Sequence, residues 1–303
     1  MSRLFYGHVL HEGAKIHYYR TSDQKPPLVL LHGLSDNGMC WGNLALALEA
    51  DFDLVMVDAR GHGLSDAPEG GYAPREQAED VAAVIRELGL EKPGVIGHSM
   101  GAMTAAELAA AHPELVGALV LEDPAWRNPT PEENPADWHA MVEGMMGRMM
   151  SNRQKTLDEI ITAGRADNPT WDESEFFQWA KAKQQVRPQV AGFFQAERRP
   201  WQETAQAITC PVLLVCGDPQ RGAIVTPAVA EEAAKFWKQG SVGVIDGVGH
   251  NIRREAFEDF YHLVHPFLLK HVRLPKPPKR NLFQLFTRKD KKNGNGSGTA
   301  DTM

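Results

Sequence analysis

Cysteines and long hydrophobic segments are scarce in this sequence. Its three cysteines, Cys40, Cys210 and Cys216, do not form a metal-binding spacing, and we expect reduced thiols in a cytoplasmic protein rather than a disulfide framework. No run of about 18 apolar residues is present, so neither a transmembrane helix nor stable membrane insertion is expected. The N-terminal segment also lacks the apolar stretch of a signal peptide, because residues such as Gly7 and His8 interrupt it.

Basic residues are also fewer than acidic residues. The 303 residues include 32 Lys and Arg against 39 Asp and Glu, which is a formal net charge of −7. This balance argues against a nucleic-acid partner, whose binding needs a basic surface. The hydrophobic content of 43% is that of an ordinary globular protein, and the length suits one large domain or a domain with an insertion.

Short apolar runs alternate with helix-like segments along most of the chain. Strands are predicted at residues 16–19, 28–31, 54–57, 95–96, 118–121, 212–215 and 242–245. Helices are predicted at residues 41–49, 75–88, 102–111, 227–238 and 255–270. Because runs that are apolar on both faces are typical of parallel strands covered by helices, the pattern predicts an α/β fold with a mainly parallel sheet flanked by helices.

Residues 125–205 break this alternation. They have no strand-like run, but contain the methionine-rich segment MVEGMMGRMM and five of the seven tryptophans: 126, 138, 171, 179 and 201. We interpret this segment as a helical cap, or lid, inserted between the two parts of the core at 1–124 and 206–273. Extra helices packed elsewhere on the core are the alternative, because methionines and aromatic residues usually serve plain packing.

Residues 274–303 differ in composition from the rest of the chain. The segment PKPPKR is stiff and basic, and the following low-complexity residues predict a disordered tail. The patch NLFQLF within it is a candidate contact for an anionic membrane surface or a partner. A solvated tail without a binding role is the alternative.

The segment Gly97-His98-Ser99-Met100-Gly101 fits the pattern G-x-S-x-G. This pattern allows a strand to turn sharply into a helix with the serine exposed at the apex. A serine hydroxyl is a poor nucleophile near neutral pH, so it needs a base within hydrogen-bonding reach, a group that orients the base, and backbone N–H donors for an oxyanion.

The expected oxyanion donors are the backbone amides of Met100, at the start of a helix, and of Leu34, in the loop LVLLHGLSDNG. His32 in the same loop shapes the loop and is a candidate substrate-binding residue. The other candidates for substrate binding, Trp126 and Met145, lie in the predicted cap. Among twelve histidines His250 is the best candidate for the base, because it follows a predicted strand and two glycines in the segment GVGH.

Four motifs together resemble those of the α/β-hydrolase superfamily: HG at 32–33, DARGHGLSD at 58–66, GHSMG at 97–101 and GVGH at 247–250. Their order and spacing cover about residues 20 to 272. The resemblance implies an α/β-hydrolase fold with the helical insertion as its cap. It also implies roles for Ser99 as nucleophile and His250 as base.

The acid departs from the usual pattern of that superfamily. Many members have a Gly after the strand that follows the insertion and an Asp three positions on, where this chain has Gly217 and Gln220. Asp218 resembles a non-catalytic neighbour. Other branches, including a haloalkane dehalogenase group and zearalenone lactonases, carry the acid after the preceding strand, strand 6, where this chain has Glu122 and Asp123. Asp123 is therefore the preferred acid, with Asp218 and Glu122 as alternatives.

A serine nucleophile at position 99 favours acyl transfer. Superfamily members with an aspartate nucleophile, such as dehalogenases and epoxide hydrolases, form an ester intermediate on that aspartate instead. The prediction is an esterase or lactonase acting on a small hydrophobic ester or lactone through an acyl-enzyme, with no metal or organic cofactor. Carbon–carbon bond hydrolysis or cofactor-free perhydrolysis on the same triad, and a ligand sensor that keeps this fold, are alternatives. A carbon–carbon hydrolase needs a cationic lid residue, for which the candidates are Arg127, Arg148, Arg187, Arg198 and Arg199. The oligomeric state stays open.

Overall fold

A computed structural model describes residues 4–22, 24–127 and 135–274. Eight strands form one sheet in the order β1-β2-β4-β3-β5-β6-β7-β8. They are β1 Phe5–His11, β2 Ala14–Arg20, β3 Pro27–Leu31, β4 Asp53–Val57, β5 Gly94–His98, β6 Ala118–Glu122, β7 Val212–Cys216 and β8 Gly240–Val244. β2 pairs antiparallel with β1 and β4, and all other pairs are parallel. The predicted α/β fold with a mainly parallel sheet is confirmed.

Helices connect the strands. They are α1 Gly42–Leu48, α2 Pro74–Glu87, α3 Met100–Ala111, α4 Pro135–Asn152, α5 Leu157–Asp167, α6 Glu173–Gln185, α7 Gly192–Gln195, α8 Trp201–Ala207, α9 Pro227–Ala234, α10 Ile252–Glu255 and α11 Phe257–His271. The predicted helix 255–270 is thus divided at Ala256, whose φ of −140° is not helical. Strand β1 was missed, because it lies at an edge of the sheet and Val9 is its only buried residue, so it has no continuous apolar run.

The core lies on both faces of the sheet. Alternate residues of β3 show this, since Val29 and Leu31 pack on the side of α2, α3, α8 and α9, whereas Leu28 and Leu30 pack on the side of α1 and α11. All five residues of β3 are buried. This two-sided burial is the physical reason for the continuous apolar runs in the sequence.

The segment between β6 and β7 is helical where the structure describes it. Helices α4 to α8 lie there, and residues 128–134 are outside the described ranges. The predicted boundary at 205/206 falls inside α8, whose Trp201 is buried in the core and stacks on Trp126 with ring centroids 5.3 Å apart. Both ends of the predicted cap therefore pack with the core.

No helix in the described ranges has the length and hydropathy needed to cross a lipid bilayer. The predicted tail at 274–303 lies outside the described residues, apart from Leu274.

Candidate active site

Ser99 lies in the turn between β5 and α3, in a conformation that few residues other than glycine adopt. Its φ is +52° and its ψ is −113°. The turn needs glycine on both sides: a Cβ on Gly97 would lie 2.3 Å from the carbonyl oxygen of Gly101, and a Cβ on Gly101 would lie 2.1 Å from that of Leu31. These two positions tolerate no side chain, which explains the G-x-S-x-G spacing.

His250 lies in the loop between β8 and α10. Its Nδ1–H donates a hydrogen bond to Asp123 Oδ2 over 2.6 Å, which leaves Nε2 as the acceptor. The Asp123 side chain is fully buried, whereas the imidazole is partly exposed. A buried carboxylate in this position holds one tautomer of the imidazole and stabilises its cation.

Asp123 follows β6 with a φ of +42°, and the loop after β7 supplies its other hydrogen bonds. The backbone N–H groups of Ile224 and Val225 each donate to the carboxylate over 2.9 Å. This is the loop in which sequence reasoning found Gln220 in the usual place of the acid. Here the loop contributes amide donors to a carboxylate from the neighbouring strand.

The two alternative acids have other partners. Asp218 caps the short helix Pro219–Arg221 by accepting a hydrogen bond from the Gln220 amide over 2.8 Å. Glu122 is fully buried and pairs with Arg253 Nη1 over 2.9 Å, while burial raises the pKa of its carboxyl. Neither carboxylate contacts His250 in the described part of the chain.

Ser99 and His250 line the same cavity, together with Leu34. The sheet topology explains this, because β3, β5 and β8, which precede Leu34, Ser99 and His250, run parallel and their carboxyl ends share one edge. Across the described residues no hydrogen bond joins Ser99 Oγ to His250, and the backbone amides of Leu34 and Met100 have no protein acceptor. The role of these two amides as oxyanion donors stays a prediction.

Sequence reasoning missed the role of His98. Its Nε2–H donates to the backbone carbonyl of His250 over 3.0 Å, and the two rings lie 4.8 Å apart. Burial lowers the pKa of His98 well below its ordinary value, so the ring is neutral and keeps this donor geometry. Its position next to Ser99 is the one sequence feature that could have indicated a link to the site.

Burial also keeps His62 neutral, and this predicts a pH-dependent stability. His62 Nδ1–H donates to the Arg60 carbonyl and Nε2 accepts from the Ser35 amide, and burial lowers its pKa to about 3. Below the unfolded pKa of 6.5 the unfolded chain therefore binds a proton that the folded chain does not. We expect the free energy of unfolding to fall by about 1.4 kcal/mol per pH unit from this residue alone.

Denaturant unfolding at about pH 7 and about pH 5.5 measures this slope. His62→Gln keeps one donor and one acceptor without the titration. It should reduce the difference in the free energy of unfolding between these two pH values by about 1.3 kcal/mol. His8→Gln at an exposed position is the control and should leave it unchanged. An equal slope in all three proteins would contradict the prediction.

The cavity has a volume of about 580 Å³ and an apolar wall from the helices between β6 and β7. Met145 lies in this wall, as expected. The wall residues are Trp138, Met141, Met145, Met149, Trp171, Trp179, Phe193 and Phe194.

The substrate contacts predicted for His32 and Trp126 do not fit their positions. The buried His32 ring donates to the Gly33 carbonyl and accepts from the Ala59 amide, so it shapes the loop. Trp126 packs in the core between Trp201 and Trp237. Neither residue lines the cavity that contains Ser99.

Comparison with known proteins gives the same fold. The family model described as the alpha/beta hydrolase fold matches residues 26–253. A 104-residue segment is 38% identical to the 2-(acetamidomethylene)succinate hydrolase of Mesorhizobium japonicum, a match that covers 34% of this chain and 37% of that protein.

Two further proteins match over most of their length. The N-formylmaleamate deformylase of Pseudomonas putida is 27% identical over 86% of this chain and 96% of its own. The crystal structure of the esterase RhEst1 from Rhodococcus sp. superposes with a TM-score of 0.70 at 26% identity, covering 89% of this chain and all of that one. Since the family model spans most of the sequence, from β3 to α10, the chain belongs to the α/β hydrolase fold family.

Proposed function

We propose that this protein is a serine hydrolase that cleaves a carboxylic ester or lactone through an acyl-enzyme. The observation that carries the proposal is the hydrogen bond between His250 and the buried Asp123, since His250 lines the same cavity as Ser99. In this assignment Ser99 is the nucleophile, His250 the base and Asp123 the group that orients the base.

The proposed reaction has two stages. Ser99 Oγ attacks the carbonyl carbon while its proton moves to His250 Nε2, and the oxyanion accepts hydrogen bonds from the amides of Leu34 and Met100. The tetrahedral intermediate collapses, and the leaving alkoxide takes the proton from His250. Water, deprotonated by His250, then attacks the acyl carbon, which releases the acid and restores the Ser99 hydroxyl.

The apolar wall supports a hydrophobic body for the substrate. Methionine side chains adapt to different shapes, and aromatic rings bury area without fixed polar partners. Met145 is the proposed substrate contact among the residues predicted from sequence. The helices α4 to α7 serve in this proposal as a cap, because they supply most of that wall.

Cleavage of an N-acyl bond is a second candidate. It is favoured by the similarity to N-formylmaleamate deformylase over 86% of this chain. The same triad serves both reactions, because the leaving group accepts its proton from His250 in either case. The two candidates differ only in the group released from the acyl carbon.

Transient kinetics with para-nitrophenyl acetate and butyrate tests the proposal. An acyl-enzyme predicts a burst of nitrophenol near one equivalent per active site, and mass spectrometry should find the acyl group on Ser99. Simple lactones and N-acyl amides of the same acids, compared by kcat/KM, separate the two candidates. Hydrolysis no faster than in buffer for every substrate would overturn both.

A further inference from the structure

Arg198 lies in the wall of the active-site cavity without a carboxylate partner among the described residues, and we propose that it binds an anionic group of the substrate. The inference deepens the proposed function, on which it rests. In chemical terms, the preferred substrate is then an ester, lactone or amide whose acyl or leaving portion carries a free carboxylate. Arg127 lines the same part of the wall and adds positive charge there.

Charged side chains of both signs line the described part of the cavity wall. Among the described lining residues are four cationic side chains, Arg127, Lys183, Arg198 and Arg254, and one carboxylate, that of Asp36. Asp36 is held by Lys183 Nζ over 2.8 Å and by Arg254 Nη2 over 3.0 Å, and Glu175 binds Arg254 Nε over 3.1 Å. This end of the cavity is therefore neutralised within the protein.

Arg198, at the other end, has no such carboxylate partner among the described residues. Arg198 Nη2 donates to the Phe193 carbonyl over 2.5 Å, and its guanidinium lies 4.2 Å from the centre of the Phe193 ring. No carboxylate lies within 4.0 Å of Arg198 in the described ranges. Burial, and then the charge of Arg127, lower the pKa of Arg198. The guanidinium thus lies in a partly desolvated, positively charged environment that an anion would stabilise.

Arg199, the next residue, is paired within the protein and so differs from Arg198. Arg199 binds both oxygens of Glu107, through Nε over 3.0 Å and Nη2 over 2.5 Å. It lies outside the wall of the cavity with Ser99. Among the arginines suggested for a cationic lid, only Arg127 and Arg198 line this cavity in the described ranges.

The position of Arg198 also suits capture of an incoming anion. Arg127, Trp138 and Arg198 line both the cavity with Ser99 and an adjoining cavity of about 820 Å³. A guanidinium offers a planar pair of N–H donors that matches a carboxylate, and a partly desolvated site strengthens that contact. The substrate would thus be held by its anion at this junction and by its apolar body along the methionine wall.

A matched pair of esters tests the inference by activity. We expect the wild type to have a higher kcat/KM for para-nitrophenyl hydrogen glutarate than for para-nitrophenyl pentanoate, which has the same chain length without the carboxylate. Arg198→Met should lower kcat/KM for the glutarate ester about 100-fold and that for the pentanoate ester less than about threefold. Arg198→Lys keeps the charge but lacks the planar pair of N–H donors of a guanidinium. Its kcat/KM for the glutarate ester should be about tenfold lower than that of the wild type.

Arg187→Met is the matched control, because Arg187 is exposed and lies outside the cavity wall. It removes the same charge from the molecule and should leave the ratio of the two esters unchanged. Equal losses on both esters in Arg198→Met, or a wild-type preference for the pentanoate ester, would overturn the inference.

Binding separates this inference from the proposed function. Calorimetric titration of Ser99→Ala with glutarate needs no catalysis, and Arg198→Met in that background should raise the Kd about 100-fold. If the wild type hydrolyses neither ester but this loss is found, the anion site stands and the proposed function fails. Absence of glutarate binding, or binding that Arg198→Met does not alter, overturns the anion site.

Discussion

Ser99→Ala is expected to lower kcat on a cleavable ester by about 10⁵-fold to 10⁶-fold with little change in substrate binding. Alanine removes the Oγ that forms the acyl bond and leaves the Cβ that packs in the turn. The strained backbone of the turn depends on Gly97 and Gly101 and not on the hydroxyl, so the fold should be retained. Initial rates of both proteins measure the effect, with circular dichroism as the test of folding.

Ser35→Ala is a matched control from the wall of the same cavity. The Ser35 hydroxyl accepts a hydrogen bond from Lys183 Nζ over 2.9 Å, and its loss should cost less than about tenfold in kcat. A fluorophosphonate probe should label the wild type and Ser35→Ala, but not Ser99→Ala. Labelling of Ser99→Ala at the wild-type rate would show that another residue is the nucleophile.

Asp123→Asn is expected to lower kcat about 10⁴-fold at neutral pH. The reason lies in the donors around the side chain. The amides of Ile224 and Val225 and the Nδ1–H of His250 all point at the carboxylate, and an asparagine has only one acceptor oxygen. If that oxygen accepts from the two amides, the NH₂ group faces His250. The imidazole then places its proton on Nε2 and cannot accept the proton of Ser99.

Asp218→Asn is the control for this substitution, since an asparagine oxygen still caps Gln220 and the short helix that follows. We expect its kcat to stay within about twofold of the wild type. If Asp218→Asn lost most of its kcat while Asp123→Asn stayed active, the assignment of Asp123 as the acid would be overturned. A profile of kcat against pH for both variants separates a tautomer defect of His250 from other effects on kcat. The tautomer defect is expected to persist at high pH.

The fold was predictable from sequence because its signals are local. The five-residue strands β3, β4, β6 and β7 are buried throughout and consist mostly of Leu and Val, so each appears as an apolar run of strand length. Strand β1 lacks that signal because it lies at the edge, where Tyr6 is 77% exposed. The helices between β6 and β7 were predicted from the absence of strands, but the burial of Trp126 and Trp201 in the core was not.

The turn that carries Ser99 can be predicted from sequence alone, because its steric requirement is met within five residues. Gly97 and Gly101 are needed wherever a strand meets a helix this closely, so the pattern specifies the serine at the apex. The location of His250 after a late strand was readable for a similar reason, since Gly247, with a φ of +73°, indicates the loop.

The choice between the two adjacent carboxylates at the end of β6 depends on contacts with segments that are distant in the sequence. Glu122 is the last residue of β6 and Asp123 follows it with a φ of +42°, and composition cannot say which of the two meets the histidine loop. The fold places Arg253 on one side and His250 on the other, together with two amides from the loop after β7. The charges of the cavity could not be predicted from sequence either, because Asp36, Lys183 and Arg254 are distant in the chain. Arg198 and Arg199 are adjacent arginines and differ in their neighbours in the folded protein: Glu107 binds Arg199 and not Arg198.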